Sequence, residues 1–405
     1  MQQYINPRFV YHGENALDAL KTLKGKKAVI CIGGGSIKKN GALDKIEANL
    51  KEAGFETKLI EGIESDPSVD TVIAGAKTME EFGPDWIVAV GGGSPIDAAK
   101  AMWVKYENPD ISLEQMCTPF GLPEMRQKAK FCAITTTSGT GTEVTAFAVI
   151  TDYEKGIKYP MADFEITPDV AIVDPALVAG LPPKLVAFTG MDALTHAIEA
   201  YVSTARSYYT DAMALHSIKM IQDNLVASYA GDQKARAAMH DAQCLAGMAF
   251  SSGLLGIVHS MAHKTGAAFE GGHIIHGCAN AMYLPKVIKY NAGDRDTAIR
   301  YAEIADAIGL CGKTRAAKVG KLIDFCLDFN REMNIPNCIS EYGEGGKKVP
   351  AGEGFVSKEE FEKKLSDIAA NALLDACTGS NPRAIGQAQM EKMLIASYYD
   401  EDVYF

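Results

Sequence analysis

Short apolar runs rich in β-branched residues punctuate only the first half of the chain: KAVICI at 27–32, WIVAV at 86–90, FCAIT at 131–135 and VAIVD at 170–174. Each has the length of a strand, and an apolar run without alternation suits a strand buried on both faces. Between these runs the apolar positions recur with the 3.6-residue helical period, at 41–53, 68–82 and 94–106. Strands alternating with helices predict a parallel sheet with helices on both faces. After about residue 181 the strand signal ends, and helical periodicity continues through 185–203, 207–227, 232–252, 295–309, 314–333, 357–371 and 385–399. The change of character falls at AGLPPKL, 179–185, whose two prolines favour a boundary. The expected architecture is an α/β domain over 1–180 followed by an all-α domain over 181–405. The segment EYGEGGKKVPAGEG at 341–354, glycine-rich and charged, reads as an exposed loop. No internal repeat of solenoid length is present.

The totals narrow the partners more than the fold. A chain of 405 residues exceeds one typical core, in line with two domains. Lys and Arg number 40 against 51 Asp and Glu, and the net charge of −11 argues against a nucleic-acid-binding surface. The start, MQQYINPRFVYHG, lacks the basic-then-apolar pattern of a secretory signal, and no apolar run is long enough to cross a bilayer. Nine cysteines, never in a CxxC pair, read as free thiols in a reducing compartment, so a cytoplasmic location is expected.

GGGS occurs twice, at 33–36 and 91–94, each time directly after a predicted strand. The second copy continues as GGGSPIDAAK, where Ser94 suits a helix N-cap and Pro95 the first helical position. Gly91, Gly92 and Gly93 let backbone N–H groups approach an anion at the positive end of that helix. A cofactor diphosphate fits there, although the stretch is not a GxGxxG fingerprint. The first copy, IGGGSIKKNG, carries no carboxylate to take a ribose 2′-hydroxyl. Gly33, Gly34, Gly35 and Ser36 offer donors and room, and Lys38 and Lys39 offer charge for a 2′-phosphate. This favours NADP(H), with NAD(H) as the alternative. The competing reading is a solvated lysine pair after a tight turn. A third stretch, TTTSGTGTEVT at 135–145, packs hydroxyls and glycines in the manner of a loop lining a cofactor.

The stretch VHSMAHKTGAAFEGGHIIHG, 258–277, holds His259, His263, His273 and His276, four of the chain's eight histidines. His259 and His263 stand at i, i+4, as do Asp192 and His196 in GMDALTHAIEAYVS at 190–203. Each pair lies on one helix face and can share an ion. A lone histidine on a helix is usually just hydrogen-bonded, but four so close together beside a DxxxH favour a metal site. Oxygen and nitrogen ligands without cysteine suit Fe²⁺ or Zn²⁺ and disfavour a structural zinc knot.

The ordered set GGGSPIDAAK, TTTSGTGTEVT, KYPMADFEITPDVAIVDP, GMDALTHAIEAYVS, VHSMAHKTGAAF, HGCANAMYLP and CTGSNPR resembles the iron-containing (group III) alcohol dehydrogenases over nearly the whole chain. From residue 86 onward the chain is most similar to the alcohol dehydrogenase half of bifunctional aldehyde–alcohol dehydrogenases, whereas GGGSIKKNG is similar to the NADPH-linked butanol dehydrogenase branch. The resemblance implies a dehydroquinate-synthase-like fold, with a dinucleotide-binding α/β domain and a helical metal domain. It implies a metal held by Asp192, His196, His259 and His276, with His263 as proton carrier. It places Gly34, Gly35, Ser36, Lys39, Gly92, Gly93, Ser94, Asp97, Thr136, Thr137, Thr140 and Lys158 at the cofactor, and Phe147, Phe250 and Leu255 around the substrate.

Against that family pattern, Glu270-Gly271-Gly272 looks inserted. Counting from His259 selects His273 as the last ligand, whereas matching HG-ANA selects His276, and the motif match is preferred. The activity implied is metal-assisted hydride transfer between a nicotinamide and a short-chain primary alcohol or its aldehyde, in a homodimer or larger homo-oligomer. The apolar pocket residues favour aliphatic substrates over diols. The rivals are a dehydroquinate-synthase-like lyase, which needs a basic cluster that the helical domain lacks, and a zinc glycerol-dehydrogenase-like enzyme, which usually has three protein ligands.

Overall fold

Two units account for the chain, Met1–Gly180 and Leu181–Phe405, in a computed structural model that describes residues 3–154, 157–270 and 272–405. The strands of the first unit are β1 (Phe9–His12), β2 (Lys27–Ile32), β3 (Glu56–Ile60), β4 (Trp86–Gly91), β5 (Lys130–Thr135), β6 (Phe147–Asp152), β7 (Ile157–Ala162) and β8 (Val170–Val173). Six of them form one parallel sheet in the order β1-β8-β5-β4-β2-β3, and β6 and β7 form a separate antiparallel hairpin. Helices α1 (Ser36–Lys39), α2 (Ala42–Glu52), α3 (Val69–Phe82), α4 (Gly93–Glu107) and α5 (Leu113–Met116) lie between them in sequence.

Strand β2 shows why its run is continuously apolar. Val29 and Cys31 join one buried cluster with Val72, Met79, Met102 and Trp103 from α3 and α4. Ala28, Ile30 and Ile32 face the other way and join Leu17, Leu20, Ile46 and Leu50. The four apolar runs of the sequence form β2, β4, β5 and β8, and the other four strands had no such signal. β1 and β3 are the edges of the sheet, where one side of the strand meets water and polar residues such as those of ETKLI are tolerated. β7 carries Pro160, which a two-stranded hairpin accepts and a central strand would not.

The chain passes from β2 outward to β3 and returns to β4 on the opposite side of β2. The carboxyl ends of β2 and β4 therefore flank a switch in direction, the place where open α/β sheets bind ligands. The two GGGS segments leave those two ends, and the TTTS segment leaves neighbouring β5.

A buried lysine and an aspartate one turn before it tie the third segment to α4. The fully buried Lys100 donates from Nζ to the carbonyls of Thr142, Thr145 and Phe147 at 2.8, 2.7 and 2.8 Å. Asp97, on the same helix, accepts from the Thr142 hydroxyl at 2.6 Å and the Val149 amide at 3.1 Å. Burial pushes Asp97 up to about 6 and Lys100 down to about 8, each shift opposed by the attraction of the other group.

The second unit is helical: α6 (Pro183–Val202), α7 (Tyr208–Tyr229), α8 (Gln233–Gly253), α9 (Ile257–Thr265), α10 (His276–Asn291), α11 (Arg295–Ala307), α12 (Arg315–Glu332), α13 (Lys358–Leu373) and α14 (Gln387–Tyr399). α6 is the central helix, buried without interruption from Met191 to Val202 and packed on α7, α8 and α10. α10 falls outside the periodic segments of the sequence because every residue from Gly277 to Ile288 is buried, leaving no polar stripe. Pro285 also lies inside α10 and cannot donate to the carbonyl one turn back, that of Ala281. The buried Asn330 of α12 donates to that carbonyl instead, at 3.0 Å.

The segment 341–354 is exposed at Glu344, Gly345, Lys347 and 350–353, as its glycines and charges suggest, but it is anchored by a buried start. Tyr342 is fully buried, with its ring edge-on to Phe355. Its hydroxyl accepts from the Ile275 amide at 2.9 Å and donates to the His273 carbonyl at 3.1 Å. One aromatic side chain with a polar tip is enough to anchor the segment. Gly271, the middle residue of the expected insertion, lies outside the described residues. Among the described residues no single helix is long and apolar enough to cross a membrane. All nine cysteines are free, and Cys311 is the exposed one.

Two outcomes are expected. Lys100→Met strands the Asp97 charge and three carbonyls, and should lower the urea-denaturation free energy by about 3–5 kcal/mol. The folded pKa of Asp97, about 6, lies above its ordinary 3.8, so the folded protein holds an extra proton between those values. Stability from this group therefore falls as pH rises through that window. Asp97→Asn should remove that slope, seen as a gap between wild-type and variant urea midpoints that changes from about pH 4 to 6 and stays constant above.

Candidate active site

Asp192 and His196 share one face of α6, and two turns from Asp192 the same face carries Glu199. All three are buried. α9 brings His259 to this face, and α10 brings His276, its first residue. The approach of α10 depends on Gly277: a Cβ there would lie 2.1 Å from the Phe188 carbonyl oxygen of α6, so no larger residue allows the contact. Asp192 Oδ1 then lies 3.6 Å from His276 Nε2, 3.7 Å from His259 Nε2 and 3.9 Å from His196 Nε2. Asp192, His259 and His276 each place a ligand atom within 4.8 Å of the other two. The His196 ring stacks on His259 at 4.5 Å and on Phe250 at 4.2 Å.

One further side chain points into the cluster. Asn280 Nδ2 donates to Asp192 Oδ1 at 2.7 Å and stands 3.2 and 3.3 Å from the Nε2 atoms of His259 and His276. Its Oδ1 is buried without a hydrogen-bond partner. Asp192 Oδ1 and two imidazole nitrogens thus gather around a single N–H₂ group, a weak source of positive charge for a buried carboxylate. One carboxylate oxygen with two or three imidazole nitrogens is a donor set that fits Fe²⁺ or Zn²⁺.

Glu199 stands behind His259 and was not singled out in the sequence. Its Oε2 lies 2.5 Å from His259 Nδ1, and its Oε1 accepts from the Val258 amide at 2.8 Å. A carboxylate on Nδ1 fixes the ring and turns Nε2 toward the cluster, the usual support for a metal-binding histidine. Burial would push His259 down, but the hydrogen bonds from Asp192 and Glu199 outweigh it and bring the ring to about 9. A cation at Nε2 must therefore compete with a proton. Burial likewise acts to raise Asp192, and the surrounding histidines overcome it and hold the carboxyl well below the usual range.

His263 is set apart from the other three. Its Nδ1 lies 3.1 Å from Asp375 Oδ2, an oxygen it shares with Lys264 Nζ, also at 3.1 Å. Its ring stacks on His276 at 5.3 Å with an interplanar angle of 10°. The side chain is 28% exposed against 1% for His259, so of the two it is the one open to proton exchange with solvent. His273 is exposed, and its side chain is not in the ligand group. Leu255 is buried at the bend between α8 and α9, where its carbonyl accepts from the Ser380 hydroxyl at 2.7 Å.

The segment 375–383 clasps these helices. Besides Asp375 on His263, the Thr378 hydroxyl donates to Ser260 Oγ at 2.8 Å and Asn381 Oδ1 accepts from the Ile257 amide at 3.3 Å. Arg383 donates to the Tyr290 carbonyl at 2.6 Å and stacks over that ring at 4.0 Å.

In the first unit, the helix after the second GGGS begins earlier than its sequence suggests. Gly92 is the N-cap and Gly93 the first helical residue, with no side-chain cap, and Ser94 lies inside the first turn. The Ser94 hydroxyl accepts from the Asp66 amide at 3.4 Å rather than capping α4. Glycine precedes the helix because Thr137 approaches: a Cβ on Gly92 would meet the Thr137 side chain at 3.1 Å. The hydroxyls of Thr137 and Thr140 are both buried without hydrogen-bond partners. Uncapped helix amides facing two unsatisfied hydroxyls suit a diphosphate. The Thr136 amide is taken by the Gly91 carbonyl at 2.9 Å. Gly34, Gly35, Ser36 and Lys39 are exposed at the end of β2, and Lys38 is paired with Glu61. Lys158 pairs with Asp66 at 2.7 Å, Asp97 is engaged by the Thr142 hydroxyl and the Val149 amide, and Phe147 opens β6 with its carbonyl on Lys100.

Glu199→Gln should weaken metal binding about 10–100-fold, measured by competition against a chromogenic chelator. In the same assay His276→Ala should lose the tight site and His273→Ala should retain it.

The profile of the iron-containing alcohol dehydrogenases matches residues 7–175, and that of the C-terminal region of the Fe-containing alcohol dehydrogenase family matches residues 186–398. The chain is 55% identical to the NADPH-dependent butanol dehydrogenase of Clostridium saccharobutylicum over the whole of both chains. It is 42% identical to the bifunctional aldehyde-alcohol dehydrogenase of Escherichia coli, with 96% of this chain aligned to 45% of that one. An iron-containing alcohol dehydrogenase from Thermococcus thioreducens superimposes with a TM-score of 0.87 at 33% identity, covering 98% of this chain and 100% of the other. The chain belongs to the iron-containing alcohol dehydrogenase family.

Proposed function

We propose that the protein interconverts short-chain primary alcohols and aldehydes with NADP(H), using an Fe²⁺ ion held by Asp192, His196, His259 and His276. The observation that carries this reading is the convergence of Asp192, His259 and His276 on one point, with Glu199 fixing the tautomer of His259. Similarity to an NADPH-dependent butanol dehydrogenase supports the substrate and the cofactor. When bound, the cation polarises the substrate oxygen and the nicotinamide supplies or accepts the hydride.

The chain's own residues do the rest. His263, with Nδ1 held by Asp375, keeps Nε2 for carrying the hydroxyl proton between substrate and solvent. Phe250 backs the His196 ring and, with Leu255, offers apolar side chains that exclude water and leave no polar partner for extra hydroxyls. In the first unit, the helix amides after Gly92 and the hydroxyls of Thr137 and Thr140 take the cofactor diphosphate. Gly34, Gly35, Ser36 and the exposed Lys39 take the 2′-phosphate, Lys38 being engaged by Glu61. Ser94, Asp97, Thr136 and Lys158 shape this loop cluster through the contacts described above. Free thiols throughout suit a cytoplasmic enzyme, and β1, at the sheet edge with Phe9 half exposed, offers a surface for a homo-oligomer.

The test is the anaerobic initial rate of butanal reduction by Fe²⁺-loaded protein with NADPH and NADH in parallel. Faster turnover with NADPH is expected, and Lys39→Ala should raise the NADPH KM about ten-fold while leaving the NADH KM unchanged, as loss of one charge-assisted contact requires. Preference for NADH keeps the dehydrogenase and discards the 2′-phosphate assignment. No turnover with either cofactor discards the proposed activity.

A further inference from the structure

A second group of potential ligands lies beside the first. His263, Asp375 and Cys377 each place one ligand atom within 4.8 Å of the other two. We propose that these three residues form a second metal site, selective for a thiophilic divalent ion such as Zn²⁺ or Cd²⁺ and able to withdraw His263 from proton transfer.

The donors come from two elements already locked together. His263 is on α9, and Asp375 and Cys377 are on the clasp segment, where Asp375 Oδ1 accepts from the Cys377 amide at 3.1 Å. That turn holds carboxylate and thiol on the same side of a short loop. The Thr378–Ser260 hydrogen bond then fixes the loop against α9, so little backbone freedom remains to be lost on binding. The chemistry differs from that of the first cluster, which contains no sulfur. A thiolate, an imidazole and a carboxylate favour zinc and its heavier congener over iron or magnesium. Three protein ligands are the number found in an open zinc site.

Charge also balances. The carboxylate and the thiolate together neutralise a divalent ion, and the thiol proton leaves to solvent. This neutrality limits repulsion between two ions, although the His263 ring stacks directly on His276. The resident competitor is Lys264, whose ammonium lies 3.1 Å from Asp375 Oδ2. Its side chain is 24% exposed, which gives the ammonium a route into water when a metal displaces it.

The consequence for turnover rests on the reading of His263 as proton carrier, whereas the metal site itself does not. Cd²⁺ is titrated anaerobically into the full-length Fe²⁺-loaded protein, and the ultraviolet thiolate-to-cadmium charge-transfer absorption is followed. The expected result is a stoichiometric absorption in the wild type. In Cys377→Ala and Cys377→Ser it should be lost. In His263→Gln, which keeps the thiol, the apparent Kd should rise at least about ten-fold, the scale of one lost ligand or its support. Lys264→Met should tighten binding. An absent absorption, or one undiminished in both Cys377 variants, overturns the site, because other thiols then account for it. Cys377→Ala should keep basal butanal reduction and lose inhibition by Cd²⁺. Absorption that depends on Cys377 together with unchanged wild-type turnover upholds the metal site and overturns the proton-carrier role of His263. Absence of the Cys377-dependent absorption in an enzyme that still turns over with NADPH removes the second site and leaves the proposed function standing.

Discussion

A carboxylate buried in the middle of a helix sets the terms for the second unit. Asp192 lies on α6 where the helix is buried from end to end of its central turns, and a bare charge there would cost many kcal/mol. Compensation has to come from several elements at once. His196 comes from the same helix, His259 from α9, and His276 and Asn280 from α10. Gly277 permits the close crossing that brings α10 in, and Asn330 repairs the backbone that Pro285 interrupts within it. Packing and electrostatics meet at α10, which both helps to bury α6 and brings His276 and Asn280 to answer its charge.

As proposed, the two units would recognise their ligands by opposite means. In the first, the backbone does most of the work, through uncapped helix amides and glycines that leave space, and side chains such as Lys100 act from beneath to hold a loop in place. In the second, the recognition groups are side chains on long, rigid helices, oriented by other side chains behind them. Glu199 behind His259 and Asp375 behind His263 repeat one device, a carboxylate on Nδ1 that leaves Nε2 facing forward.

What could be read from the chain follows from the range of the interactions. Asp192 with His196, and His259 with His263, are separated by one helical turn, and a four-residue spacing is visible in one dimension. Glu199 is only three residues beyond His196, but its importance comes from His259, on another helix, and nothing local marks it. Asp375, Asn280 and Tyr342 are further cases: each matters through a partner distant in sequence. The apolar runs exposed the buried strands, while the edge strands β1 and β3 and the fully buried α10 lacked the contrast on which periodicity depends. Ser94 looked like a cap because its residue type fits one, but the tight packing of Gly92 on Thr137 moved the helix start forward. Counting along the chain between His259 and His276 offered two candidates, and their separation in space distinguishes them where spacing did not.

The clasp formed by 375–383 also orders events in time. Asp375 meets His263 across 112 residues, and Ser380 meets Leu255 across 125. On the ribosome, α6 to α10 are all made well before their closing segment emerges. α9 therefore waits, with His263 not yet held, until the 112 residues that separate it from Asp375 have been synthesised. Nascent chains halted short of residue 375 would contain every histidine of the cluster and yet lack the latch that gives α9 its final position.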